Sequence, residues 1–241
     1  MTRGRAGLVV AAAAFALLAP ALFVWGAATV QLHVWPYPLL KAFGDHPTAE
    51  EASLSNGARR SLFDAYRRQT DVVFLGDSLT EQGPWEEMFP EVRLANRGIG
   101  GERFENLLTR LDDVIALEPR AVFIMAGVNS AGIDTLEKAI ADLAAIVSEL
   151  RGHDIEVVLQ TTIVPRGDRR EYVIELNERL PDYAETAGVP LIDLSPLQQV
   201  DGLRAELTYD GTHLNGDGYR NWEDVLRPYL APYRREETEV P

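Results

Sequence analysis

From Arg59 onward, short runs with no polar face alternate with amphipathic stretches, and this alternation restricts the chain more than any other feature. Asp71–Leu75 (DVVFL), Ala121–Ala126 (AVFIMA) and Ile155–Thr161 read as buried strands, with Val92–Ala95 and Val189–Ile192 as weaker or shorter ones. Between them, Phe104, Leu107, Leu108, Leu111, Val114 and Ile115 recur at spacings of three and four, which predicts one helix over Glu102–Leu117, ended by Pro119. Leu136, Ile140, Leu143, Val147 and Leu150 predict a second, closed by Gly152. Glu171–Ala187 and Gly218–Leu230 complete the set. A strand that is apolar on both sides needs a cover on both sides, and intervening helices supply it. The expected fold class is α/β, a three-layer αβα doubly wound parallel sheet of about five strands rather than an eight-stranded barrel.

In such sheets the working residues lie just past the carboxyl ends of the strands. The first strand ends in Gly76-Asp77-Ser78-Leu79, where a sharp turn can expose a serine Oγ. Taken alone it is equally an ordinary turn with Ser78 capping a helix. The second ends in Asn96-Arg97-Gly98-Ile99-Gly100-Gly101-Glu102, a glycine-rich loop able to present backbone N–H groups to an anion. It fails as a dinucleotide fingerprint, because Arg103 stands where glycine is required and the loop does not follow the first strand. The third ends in Gly127-Val128-Asn129-Ser130, which brings a side-chain amide. Late in the chain, Asp210-Gly211-Thr212-His213 sets a carboxylate and an imidazole three apart in a tight turn. The carboxylate can hold Nδ1 and leave Nε2 free as a general base. His33, His46 and His153 have no such neighbour. Nucleophile, base, orienting acid and oxyanion donors together are the set that acyl transfer requires.

The blocks GDSL (Gly76–Leu79), NRGIGGE (Asn96–Glu102), GVNS (Gly127–Ser130) and DGTHLNGDGY (Asp210–Tyr219) resemble those of the GDSL-type, or SGNH, esterase and lipase family, in its order and spacing over roughly residues 70–230. The second block is similar to the branch of platelet-activating-factor acetylhydrolase catalytic subunits and small acetylesterases. The resemblance implies a flavodoxin-like sheet and a cofactor-free, metal-free ester hydrolysis. It implies Ser78 as nucleophile, His213 as base and Asp210 as its partner. The oxyanion hole would be the N–H of Ser78, the N–H of Gly101 and the side chain of Asn129. The third block usually reads Gly-x-Asn-Asp; here Ser130 stands in the last place, which bears on how Asn129 is held. Two other outcomes share the residues: an acyltransferase on the same triad, and a ligand-binding relative without catalysis, against which the intact set argues. A nucleotide binder on the same sheet lacks its phosphate loops.

Outside the blocks, Trp85 and Phe89 are expected in the core rather than lining a pocket, and Arg166, Arg169 and Arg170 on a solvated loop near the rim rather than in contact with an anionic substrate. A net charge of −14 repels nucleic acid. The absence of cysteine excludes disulfides, thiolate metal sites and a cysteine nucleophile. Arg3 and Arg5 precede an uncharged run from Ala6 to Leu40, whose most apolar part, Leu8–Val30, is 23 residues long. As a helix that part reaches about 35 Å, enough to span a bilayer with some tilt. Its length favours an uncleaved anchor; a signal peptide cleaved near Gly26-Ala27-Ala28 is the alternative. Either places the remainder outside the cytoplasmic membrane. The expected organisation is an anchor or signal over 1–40, a linker over 41–58, a hydrolase domain over 59–235 and a tail over 236–241. An extracytoplasmic setting points to a small ester or an O-acylated carbohydrate as substrate.

Overall fold

The computed structural model describes residues 49–235, with side chains from Asn56 onward. The apolar run of residues 8–30 and the tail 236–241 lie outside the described residues. Among the described residues no helix is long and apolar enough to cross a membrane. Five strands form one parallel sheet: β1 (Val72–Gly76), β2 (Leu94–Gly98), β3 (Ala121–Met125), β4 (Glu156–Gln160) and β5 (Leu191–Ile192). Their order is 2-1-3-4-5, the doubly wound arrangement. The chain leaves β1 on one side for β2 and returns on the other for β3, so the strand ends part between β1 and β3. There Gly76 is in register with Gly98 and with Met125.

Side-chain alternation divides the core into two layers. Val72, Phe74 and Phe123 face one cluster, with α3 (Trp85–Met88) and α8 (Gly216–Leu230) supplying Trp85, Tyr219, Trp222 and Leu226. Trp85 stacks on Phe74 with ring centroids 4.2 Å apart, and its indole N–H donates to the Thr80 carbonyl at 2.8 Å. Trp222 donates to Gln160 Oε1, also at 2.8 Å. Trp85 and Phe89 are thus core residues, as expected, each with its polar need met inside or absent. Val73, Leu75, Val122, Ile124 and Leu159 face the other cluster. It is covered by α4 (Phe104–Leu108), α5 (Asp112–Ile115), α6 (Leu136–Gly152) and α7 (Arg170–Ala187). Thr135 opens α6 by accepting from the Lys138 N–H, and Asn215 opens α8 by accepting from the N–H groups of Asp217 and Gly218. A short antiparallel pair, β6 (Gln198–Gln199) with β7 (Gly202–Leu203), lies between β5 and α8.

Four expectations are corrected. The stretch 41–58, read as a linker, is helical from Ala49: α1 runs Ala49–Ala65, across the expected boundary. Good helix formers outweigh the lone Gly57, and Phe63 anchors its end under the guanidinium of Arg97, 4.4 Å from the ring centre. Strand two is not Val92–Ala95 but Leu94–Gly98, so Asn96, Arg97 and Gly98 belong to the sheet rather than to a loop. Polar residues fit there because the Asn96 amide donates to the carbonyls of Thr80, Glu81 and Gly83, replacing an apolar neighbour with a satisfied one. The helix over Glu102–Leu117 is two helices, α4 and α5. Thr109 Oγ1 bonds back to the Asn106 carbonyl at 2.7 Å, and Arg110 turns inward, breaking the period. Gly152 is the last helical residue of α6; the left-handed position after it is Asp154, with φ of 58°.

Candidate active site

Ser78 opens the one-turn helix α2 (Ser78–Glu81) directly after β1. The cap is Asp77, not Ser78: its Oδ1 accepts from the Leu79 N–H at 3.0 Å. The turn has no room for side chains. A Cβ on Gly76 would collide with the Met125 carbonyl and Thr80 Oγ1, and one on Gly98 with the backbone of Thr80 and Glu81. These two glycines let α2 lie directly on the sheet. Tyr219 of α8 ties α2 from the other side, donating its hydroxyl proton to the Leu79 carbonyl at 2.8 Å.

Asp210 and His213 come from the loop before α8. Asp210 Oδ1 accepts from the N–H groups of Thr212 (2.8 Å) and His213 (2.7 Å), while Oδ2 meets His213 Nδ1 at 2.7 Å. Thr208 closes the turn by donating Oγ1–H to the His213 carbonyl and accepting from the Gly211 N–H. The far nitrogen, Nε2, lies 2.9 Å from Ser78 Oγ. Partial burial alone would raise the Asp210 carboxyl; the N–H groups and ring of His213 and the Thr212 N–H bring it below the usual range, so it stays ionised beside the imidazole. Asp77, fully buried beneath the serine turn, goes the other way: desolvation pushes its carboxyl up to about 7. Its Oδ2 has no hydrogen-bond partner.

Gly100 packs beside the serine; a Cβ on it would stand 3.7 Å from that of Ser78. Gly100 donates its N–H to Glu81 Oε2 at 2.7 Å. Gly101 has φ of 77°, and among the described residues neither its N–H nor that of Ser78 meets a protein acceptor. Asn129 sits in a short 3₁₀ turn after β3. Its Nδ2 donates to the Glu102 carbonyl at 3.1 Å, and its Oδ1 accepts from Arg169 Nη1 at 3.1 Å. A guanidinium only donates and a carbonyl only accepts, so these two partners fix which way the amide points and leave the second N–H of Nδ2 free. Ser130, whose place usually holds aspartate in the resembling family, closes the turn through its backbone N–H on the Gly127 carbonyl at 3.1 Å and makes no side-chain bond to Asn129. It is fully buried and its Oγ has no partner.

The structure therefore links Ser78, His213 and Asp210 in a hydrogen-bonded row, and ties Asn129 to the Glu102 carbonyl next to Gly101. Two parts were not legible beforehand. Arg110, 1% exposed, forms a buried ion pair with Glu102 at 2.6 Å and donates to the carbonyls of Arg97 (2.8 Å) and Gly76 (3.4 Å). It thus joins β1, β2 and the glycine loop behind the site. Arg169 is exposed on its loop, as expected, and from there reaches Asn129; Arg166 lays its side chain along Gly211, where a Cβ would meet it at 3.3 Å.

A model described as the GDSL-like lipase/acylhydrolase family matches residues 74–220. Among curated proteins, the platelet-activating factor acetylhydrolase IB subunit alpha1 of Pongo abelii is 29% identical over 174 residues, 66% of this chain and 75% of that protein. Among solved structures, a putative acylhydrolase from Bacteroides fragilis superposes with a TM-score of 0.65 at 25% identity, over 80% of this chain and 100% of that one. The acetylxylan esterase Axe2 from Geobacillus stearothermophilus shares the fold with a TM-score of 0.58 at 22% identity, over 71% of this chain and 99% of that one.

Proposed function

The chain belongs to the GDSL-like lipase/acylhydrolase family, an ester-hydrolysing family, and on that footing we propose that it is a serine esterase for acetyl or other short acyl esters, working through Ser78, His213 and Asp210. The observation that carries this reading is the unbroken relay from Ser78 Oγ to His213 Nε2 (2.9 Å) and from Nδ1 to Asp210 (2.7 Å). Oγ attacks the acyl carbonyl as Nε2 takes its proton; Asp210 orients the ring and stabilises the imidazolium. The oxyanion is received by the N–H of Ser78, the N–H of Gly101 and the free N–H of Asn129 Nδ2. His213 then protonates the departing alcohol, and water repeats the sequence on the acyl-enzyme. Ser78 is held in its short helix on the sheet, His213 by Asp210, and Asn129 by the Glu102 carbonyl and Arg169, all by bonds already made, so little reorganisation is left for the transition state.

A short acyl group is supported by the relatives whose names speak of acetyl esters, a platelet-activating factor acetylhydrolase and an acetylxylan esterase. An O-acylated carbohydrate or small ester outside the cytoplasmic membrane follows from the apolar run Leu8–Val30 behind Arg3 and Arg5, read as a tether. The test is hydrolysis of p-nitrophenyl acetate, butyrate and octanoate by the purified protein and by Ser78→Ala. Turnover is expected to fall with chain length and to vanish in the variant. Near wild-type turnover by Ser78→Ala ends the triad reading; a rise towards octanoate ends the short-acyl reading.

A further inference from the structure

We propose that the ester taken by this site carries a negative charge on its alcohol portion, near the scissile bond, and that Arg169, backed by Arg166, reads it. The inference rests on the serine-esterase reading above, and it adds the substrate's charge. In a chain of net charge −14, most arginines of the domain find a carboxylate, as Arg59, Arg93, Arg103, Arg179 and Arg204 do. Arg166 and Arg169 form no ion pair among the described residues, although they stand beside the one place where chemistry happens. The nearest acid in chain order, Asp168, pairs with neither, and Asp210 is committed to His213.

Their positions flank the reacting groups. Arg169 touches the amide of Asn129 and spends one N–H on it; the rest of its fork has no protein acceptor among the described residues. Arg166 leans on Gly211, inside the turn that carries Asp210 and His213, and spends one donor on the Leu203 carbonyl. A guanidinium fork left open at a site's rim suits carboxylate or phosphate oxygens, which it binds with two parallel bonds. An acetyl group has no place for such a charge, so the anion belongs to the alcohol side. Positioning Asn129 takes one N–H of Arg169, and the open remainder of its fork would give a site for anionic esters affinity and orientation together.

The test compares two acetyl esters of one shape, 3-acetoxybenzoate and the uncharged 3-acetoxybenzamide. Arg169→Gln is expected to lower kcat/KM on the anionic ester by about tenfold more than on the amide, the size of a charge-assisted hydrogen bond. The wild-type preference is expected to shrink in about 0.5 M salt, which screens an exposed pair. Calorimetric binding of the intact esters to Ser78→Ala needs no turnover: tighter binding of the anionic ester, lost in Ser78→Ala/Arg169→Gln, is the expected result. Equal losses on both esters overturn the proposal and leave Arg169 as a residue that only positions Asn129. Equal affinity of Ser78→Ala for both esters, or none for either, overturns it as well. Failure of the esterase reading shows itself separately, as turnover that survives Ser78→Ala.

Discussion

Replacing Glu102 by glutamine is expected to destabilise the domain by about 3 kcal/mol, although no charge visible from solvent is altered. Glu102 and Arg110 are buried, their side chains 6% and 1% exposed, with 2.6 Å between them. Burial presses both towards neutrality, raising the carboxyl and lowering the guanidinium. A guanidinium nevertheless stays protonated in proteins, so the carboxylate is what balances it. Arg110 has further bonds to the carbonyls of Arg97 and Gly76, but its Nη1 has no partner, and Asp113, the other negative charge acting on it, makes no direct bond to it. Breaking such a pair by removing one member costs about 3–5 kcal/mol. Glutamine keeps an oxygen within reach and restores about 1 kcal/mol as a neutral bond; this places Glu102→Gln at the low end and Glu102→Leu at the high end. For a domain of this size each kcal/mol moves Tm by about 2–4 °C, so a drop of about 6–12 °C accompanies the glutamine variant. Urea unfolding read by the fluorescence of the buried Trp85 and Trp222 measures it. The double variant Glu102→Leu/Arg110→Met removes both charges and is expected to recover most of the loss. A loss below about 1 kcal/mol for Glu102→Gln, or a double variant as costly as the two single ones added, refutes the reasoning.

Two other perturbations test the groups nearest the serine. Asp77 has a folded-state pKa of about 7 against an ordinary 3.8, so its contribution to stability is complete below about pH 4 and is lost as pH rises through 7. Against Asp77→Asn, which keeps the cap but does not titrate, the wild type is expected to lose up to about 4 kcal/mol of unfolding free energy between those limits; parallel pH curves for the two proteins remove the argument. Asn129→Ala is expected to lower kcat by about 10²–10³ with little change in KM, because its free N–H meets full negative charge only in the transition state. Steady-state kinetics on p-nitrophenyl acetate decides, and an unchanged kcat takes Asn129 out of the oxyanion hole.

Sequence pattern was a good guide where one physical demand acted alone. β1 and β3 are apolar on both sides because helices cover both, and the runs VVFL and AVFIM carry that demand openly. Asp210 and His213 were legible because they stand three apart in one turn, and Ser78 because its block resembles that of the GDSL family. The pattern failed where a polar side chain answers to something distant. Asn96 and Arg97 look like loop residues, yet both lie in a strand, one feeding the carbonyls around α2 and the other buried over Phe63. Arg110 is indistinguishable in sequence from its many exposed counterparts, and its inward turn is also what divides the helix expected over 102–117. Arg169 is exposed, as its loop suggests, but its bond to Asn129 went unread because the two stand 40 residues apart.

The acid and the base of the relay are three residues apart, held by bonds inside one turn, whereas the serine they serve is 135 residues from the histidine. The two contacts therefore have different tolerances. When α8 shifts against α2, the Asp210–His213 couple travels as a unit and survives, and the gap to Ser78 opens. On the serine-esterase reading, a copy whose packing is disturbed there is expected to lose turnover while still folded, with Asp210 still on the imidazole and no hydroxyl within reach. The Tyr219 bond to the Leu79 carbonyl, which ties those two helices together, stands against that shift.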